Sequence, residues 1–139
     1  MQKLVRFAIF GAALIASCTS KDKQEFELIR SKTEQAGLDD SIRILLFACV
    51  EKNDLNSVKQ FCEEQKRDFA DNKYQVLVFF DNKDNVVYPQ LPDPGLFLPE
   101  ERFLKHVKAI YRYNYRQKKA KLDYYSNNMW DGNTTTTYL

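Results

Sequence analysis

Residue types that do chemistry are sparse in this chain and poorly spaced for it. His106 is the single histidine. It stands between Lys105 and Lys108, and no neighbouring carboxylate orients it; the expectation is an exposed helix residue. Glu63-Glu64 and Glu100-Glu101 are adjacent pairs that diverge around a helix, which is wrong for sharing a proton. No G-x-S-x-G, H-E-x-x-H, C-x-x-C or phosphate-loop pattern occurs, and four glycines leave little material for a phosphate cradle. The acid-rich stretch Asp81 to Asn85 lacks the ligand spacing, central glycine and closing glutamate of a calcium loop, whereas Asn and Asp are frequent in turns for local backbone reasons. The pattern therefore points to a non-enzymatic protein with no cofactor and no metal ligands.

Recognition chemistry is better represented. Tyr111, Tyr113 and Tyr115 alternate with Arg112, Asn114 and Arg116, a period of two that puts the phenols on one face of a strand and the arginines on the other. Aromatic rings stack on sugars and anchor interfaces, and arginine pairs with carboxylates. Tyr111, Arg112, Tyr113, Tyr115 and Trp130 are thus candidate partner-binding residues, with half-buried packing in a small sheet as the alternative. Phe97 joins them because residues 89–99 hold all four prolines, which stiffen a loop carrying Leu91, Leu96, Phe97 and Leu98. Such a loop either presents apolar groups to a partner at reduced entropy cost or caps the core.

The first of the three cysteines carries a different message. Lys3 and Arg6 precede an uncharged run from Phe7 to Ala16, and Ile15-Ala16-Ser17-Cys18 closes it. A basic start, a short apolar core and small residues describe a secretion signal, too short to span a hydrocarbon layer that needs about 20 apolar residues. The last four residues resemble the lipobox of bacterial lipoproteins, and the resemblance covers only this leader. It implies cleavage of residues 1–17, acylation of Cys18 and attachment to membrane lipid; two or three acyl chains hold a protein essentially permanently. Residues 18–24 read as a lipidated tether, spanning about 20 Å at most, and residues 25–139 as one domain. Thr19, in place of Asp, resembles the outer-membrane sorting pattern of double-membraned bacteria, which implies a cell-envelope protein facing the periplasm or the cell surface.

Cleavage alters the charge balance. The chain holds 21 Lys+Arg and 19 Asp+Glu, and loss of Lys3 and Arg6 leaves a neutral product. Nucleic acid is therefore not an expected partner. From Arg102 to Leu122 there are eight basic residues and no acid. This run is either a solvated face docked on the acidic N-terminal half or a patch for anionic head groups, an envelope protein or an acidic glycan. A non-enzymatic binding module is the leading expectation, and a structural accessory subunit of an envelope-spanning assembly is the alternative.

Period and punctuation then suggest the elements. Residues 24–36 read as a weak helix ending at Gly37. Asp39-Asp40-Ser41 would cap a second helix with Ile42, Leu45, Leu46, Cys49 and Val50 on its face, and a third runs from Leu55 to Ala70, antiparallel to the second. A bridge between Cys49 and Cys62 depends on their register and stays open against two buried thiols. Tyr74 to Phe80 and Val86 to Tyr88 form a hairpin; Pro99 starts a helix with Phe103, Val107 and Ile110 inward. Tyr111 to Arg116, Leu122 to Ser126 and Thr134 to Tyr138 complete an antiparallel sheet. The expected class is α+β: N-terminal helices followed by a small antiparallel sheet with one inserted helix. Asp40-Ser41-Ile42 also resembles an O-glycosylation motif of some bacteria, and Asn133-Thr134-Thr135 fits the N-x-T acceptor pattern.

Overall fold

A computed structural model of the chain describes residues 25–35, 40–50, 54–67, 74–88 and 101–139. The leader, Cys18, the tether and the proline-rich loop with Phe97 lie outside the described residues. The fold is a six-stranded mixed sheet in the order β1-β2-β3-β4-β5-β6. Its strands are β1 Phe26–Gln35, β2 Ser41–Cys49, β3 Tyr74–Phe80, β4 Val107–Asn114, β5 Lys119–Tyr125 and β6 Thr134–Tyr138; the helices are α1 Leu55–Arg67 and α2 Glu101–Leu104.

The expected fold class is overturned, because sheet dominates and the first two predicted helices are strands. β1 pairs antiparallel with β2, and β2 runs parallel to β3. Consequently α1 is the crossover between two parallel strands rather than one arm of a helix pair. Ile44 to Ala48 are all buried, so β2 is covered on both faces, and an apolar run of that kind satisfies helical and extended spacing equally. Ser41, expected to cap a helix, instead opens β2 opposite Gln35. Two further expectations fail near the middle of the chain. β3 pairs with β4, not with residues 86–88, which follow a 3-10 turn at Lys83–Asn85. The helix after Pro99 ends at Leu104, and Val107 and Ile110 belong to β4.

The helix that does form has local reasons to do so. Ser57 N–H donates to Asp54 Oδ1 at 2.9 Å, and Asp54 N–H donates to Ser57 Oγ at 3.3 Å, a reciprocal cap worth about 1 kcal/mol. Leu55, Val58, Phe61 and Cys62 then recur at 3–4 spacing and pack on one sheet face. There Phe79 meets Phe26, Phe47 and Phe61 at centroid distances of 5.2, 5.5 and 5.9 Å. The opposite face is mainly aliphatic, with Ile44, Leu46, Val78, Val107 and Ile110 joined by Phe80 and Tyr125 and packed against Val86, Tyr88, Leu104 and Met129. Tyr88 is held over β1 by Lys32 Nζ, 4.5 Å from its ring centre.

Candidate functional site

The β4 strand distributes the tyrosine and arginine candidates between these faces. Tyr111 and Tyr113 lie under α1, Tyr111 fully buried and Tyr113 nearly so. Tyr115, one residue past the end of β4, meets Tyr113 edge-on at 6.5 Å. Arg112 projects through the other face, where its Nη1 donates to Asp123 Oδ2 at 2.8 Å. Trp130 is 50% exposed in the β5–β6 connection, whose Met129 N–H bonds to Val107 O. Val107 and Tyr113 are six residues apart on β4, about 20 Å at ~3.3 Å per residue. The structure thus unites the three tyrosines, sets Arg112 behind them and leaves Trp130 at the far end of the strand.

Beside Tyr113 opens a groove of about 610 Å³, lined by Gln60, Glu63, Glu64 and Lys66 of α1, by Tyr113 and by Leu139. Lys66 Nζ lies 5.5 Å from the Tyr113 ring centre, within cation–π range. Gln60 Nε2 donates to Glu64 Oε1 at 3.2 Å, which tidies one wall. Two polar atoms are buried on this same sheet face with no hydrogen-bond partner among the described residues, Tyr111 OH and Gln75 Oε1. Register explains their proximity to the groove: Gln75 faces Tyr113, and Leu77 faces Tyr111 on the neighbouring strand. Burial first, then the nearby Cys62, Tyr113 and Glu63, push the Tyr111 hydroxyl far above the ordinary phenol range. Burial likewise pushes the Cys62 thiol up, with Glu63 adding to it, so Cys62 is an inert thiol rather than a nucleophile. No disulfide joins Cys49 to Cys62.

The remaining polar clusters are internally satisfied. Asp123, 6% exposed, accepts from Thr136 Oγ1 at 2.7 Å and pairs with Arg112 and with Lys121 at 3.1 Å. Its burial favours protonation, but those hydrogen bonds and cations outweigh burial and hold its carboxyl below the usual range. Arg116 Nη2 pairs with Asp40 Oδ1 at 2.6 Å. Three of the eight basic residues of the run 102–121, Arg112, Arg116 and Lys121, thus pair with Asp123 and Asp40. His106 also departs from expectation. It sits between α2 and β4, with Nδ1 2.8 Å from Asp81 Oδ2 and 2.8 Å from Asn85 Nδ2. Asp81, 25 residues earlier, supplies the orienting carboxylate that the flanking sequence lacks. Among the described residues no serine, threonine or cysteine hydrogen-bonds to the ring, and no three His, Cys, Asp or Glu converge as metal ligands.

Several groove residues carried no signal in the sequence. Gln60 and Lys66 are ordinary outward residues of an amphipathic helix, and Glu63-Glu64 drew notice only as a divergent acid pair. Gln75 was the available clue, a lone amide at the start of the apolar run from Tyr74 to Phe80. Compared with protein-family models, curated proteins and solved structures, the chain has no match in any of the three.

Proposed function

We propose that this chain is a lipid-anchored protein of a bacterial cell envelope whose domain is a non-enzymatic binding module, taking its partner in the groove between α1 and β4. The observation that carries the reading is the open groove at Tyr113 together with Tyr111 OH and Gln75 Oε1, buried on the same face with no hydrogen-bond partner among the described residues. Such groups cost about 1–3 kcal/mol each when left unpaired, and each calls for an explanation such as a ligand or water that the fold receives. Two carboxylates and one ammonium line the groove, so a neutral or amino-bearing polar partner fits better than an acidic one. A saccharide with hydroxyl and amino groups, hydrogen-bonded to the groove carboxylates and touching the exposed edge of Tyr113, meets those terms.

Calorimetric titration of the full chain with a short amino-sugar oligosaccharide tests the groove. Binding weakened at least tenfold by Tyr113→Ala is the expected result; equal affinity in that variant, or no binding by the parent chain, ends the saccharide reading. The anchor is tested separately by Cys18→Ser, expected to leave an unprocessed chain, and a variant still processed and membrane-bound overturns it. A structural accessory subunit is the second reading, favoured by the outer edge of β6, which pairs with no further strand among the described residues. It predicts stoichiometric co-purification after cross-linking in intact cells.

A further inference from the structure

The two edges of the sheet are built differently. β1 is ten residues long and carries Glu27, Arg30, Lys32 and Glu34, with a register shift between Leu28 and Arg30. Charges and bulges are the ordinary means of keeping an edge from pairing with another chain. β6 has neither. Its sequence is Thr134-Thr135-Thr136-Thr137-Tyr138, uncharged and β-branched, and its ladder to β5 runs without a register shift.

The phase of that ladder defines what the outer edge offers. Leu139 N–H donates to Ala120 O at 3.1 Å, and Ser126 N–H donates to Asn133 O at 3.3 Å. Pairing alternates along an antiparallel ladder, so Asn133, Thr135, Thr137 and Leu139 direct their main-chain groups toward β5. Those of Thr134, Thr136 and Tyr138 point outward. All three residues are exposed, Tyr138 at 78%, and β6 is the last strand of the sheet.

We infer that β6 is a self-pairing edge, on which a second copy of this chain lays its own β6 antiparallel about a two-fold axis at Thr136. In that register Thr136 faces its counterpart, Thr134 faces Tyr138 and Thr135 faces Thr137. About six main-chain hydrogen bonds close across the axis. No charge meets a like charge, and Thr–Thr and Thr–aromatic cross-strand pairs are favourable. The nearest buried charge is Asp123 on β5, already neutralised by Arg112 and Lys121. Two copies of it stand three strand spacings apart, about 14 Å, beyond the ~8 Å screening length of physiological salt. The inference concerns a surface separate from the groove and stands independently of the function proposed for it.

Because a five-residue ladder is short for a stable interface, position-specific cross-linking is the suitable test. The purified full chain is oxidised with copper phenanthroline, with the parent chain as baseline for Cys49 and Cys62. Facing Thr136 residues have Cα atoms about 5.5 Å apart, inside disulfide range. Thr136→Cys is therefore expected to shift to doubled mass. Thr135→Cys and Thr137→Cys are each expected to link at least tenfold less, whereas the double variant links efficiently. Adding Thr136→Pro, whose lost N–H points outward and spares the β5 ladder, is expected to abolish linking in that double variant. Equal linking in all single variants or no linking above the parent overturns the inference.

Discussion

The two buried faces of the sheet treat their polar groups in opposite ways. On the face away from α1, Asp123 is surrounded by Arg112, Lys121 and Thr136, and every partner is accounted for. Beneath α1, Tyr111 OH and Gln75 Oε1 are buried with no hydrogen-bond partner among the described residues. A satisfied network specifies a structure; an unsatisfied one marks where the structure is open to something else. The chain thus separates the polar cluster that holds β4, β5 and β6 together from the one that adjoins the groove.

Removing the aromatic centre should have the largest effect. Phe79→Ala deletes the ring that touches Phe26, Phe47 and Phe61 and is expected to cost about 3–5 kcal/mol in denaturant unfolding. Its neighbour Val78 faces the other side, and Val78→Ala should cost roughly 2 kcal/mol. Equal losses would mean that the two faces contribute alike and would erase the energetic half of the contrast.

Asp123→Ala comes next, at about 2–3 kcal/mol, since it strands Arg112, Lys121 and the Thr136 hydroxyl. The loss stays below that of a fully buried pair because the Arg112 and Lys121 side chains are 36% and 43% exposed and water relieves them. This contribution depends on pH. The folded carboxyl is held below its unfolded value near ~3.9, so its stabilisation is complete above that value and vanishes as pH falls through the folded one. Unfolding curves of parent and variant should therefore differ at pH 7 and converge in strong acid. A gap unchanged by acidification would show that Asp123 acts through packing alone.

Legibility of the chain follows the same divide between local and distant causes. The hairpin of β4 and β5 is visible in the alternation of Tyr111 to Arg116, because one covered face and one mixed face leave a period of two. α1 is visible because its cap and its apolar stripe are both local. β2 is not, since Ile44 to Ala48 are buried on both faces and Leu45, Leu46 and Cys49 also satisfy helical spacing. β1 is hidden for the opposite reason: an edge strand exposes most of its residues, and the shift at Leu28 breaks what alternation remains. The groove depends on α1 crossing over β4, and the Asp81–His106 contact spans 25 positions. Neither has a local signature.

The smallest expected effect discriminates best. Tyr111→Phe removes one oxygen and keeps the ring, so the shape of the core beneath α1 is preserved. If the hydroxyl has no partner, folding desolvates it without return, and its removal should leave stability unchanged or raise it by up to about 1 kcal/mol. A loss of more than 1 kcal/mol would mean that the hydroxyl is already satisfied in the free protein, by water reaching it from the groove. Binding reads the second half of the argument. A partner that hydrogen-bonds to Tyr111 OH should lose affinity in Tyr111→Phe while that variant is as stable as the parent, whereas a partner that only touches the groove lining should not respond. The combination of unchanged stability and weakened binding assigns the buried hydroxyl to the site; unchanged stability with unchanged binding confines recognition to the groove surface.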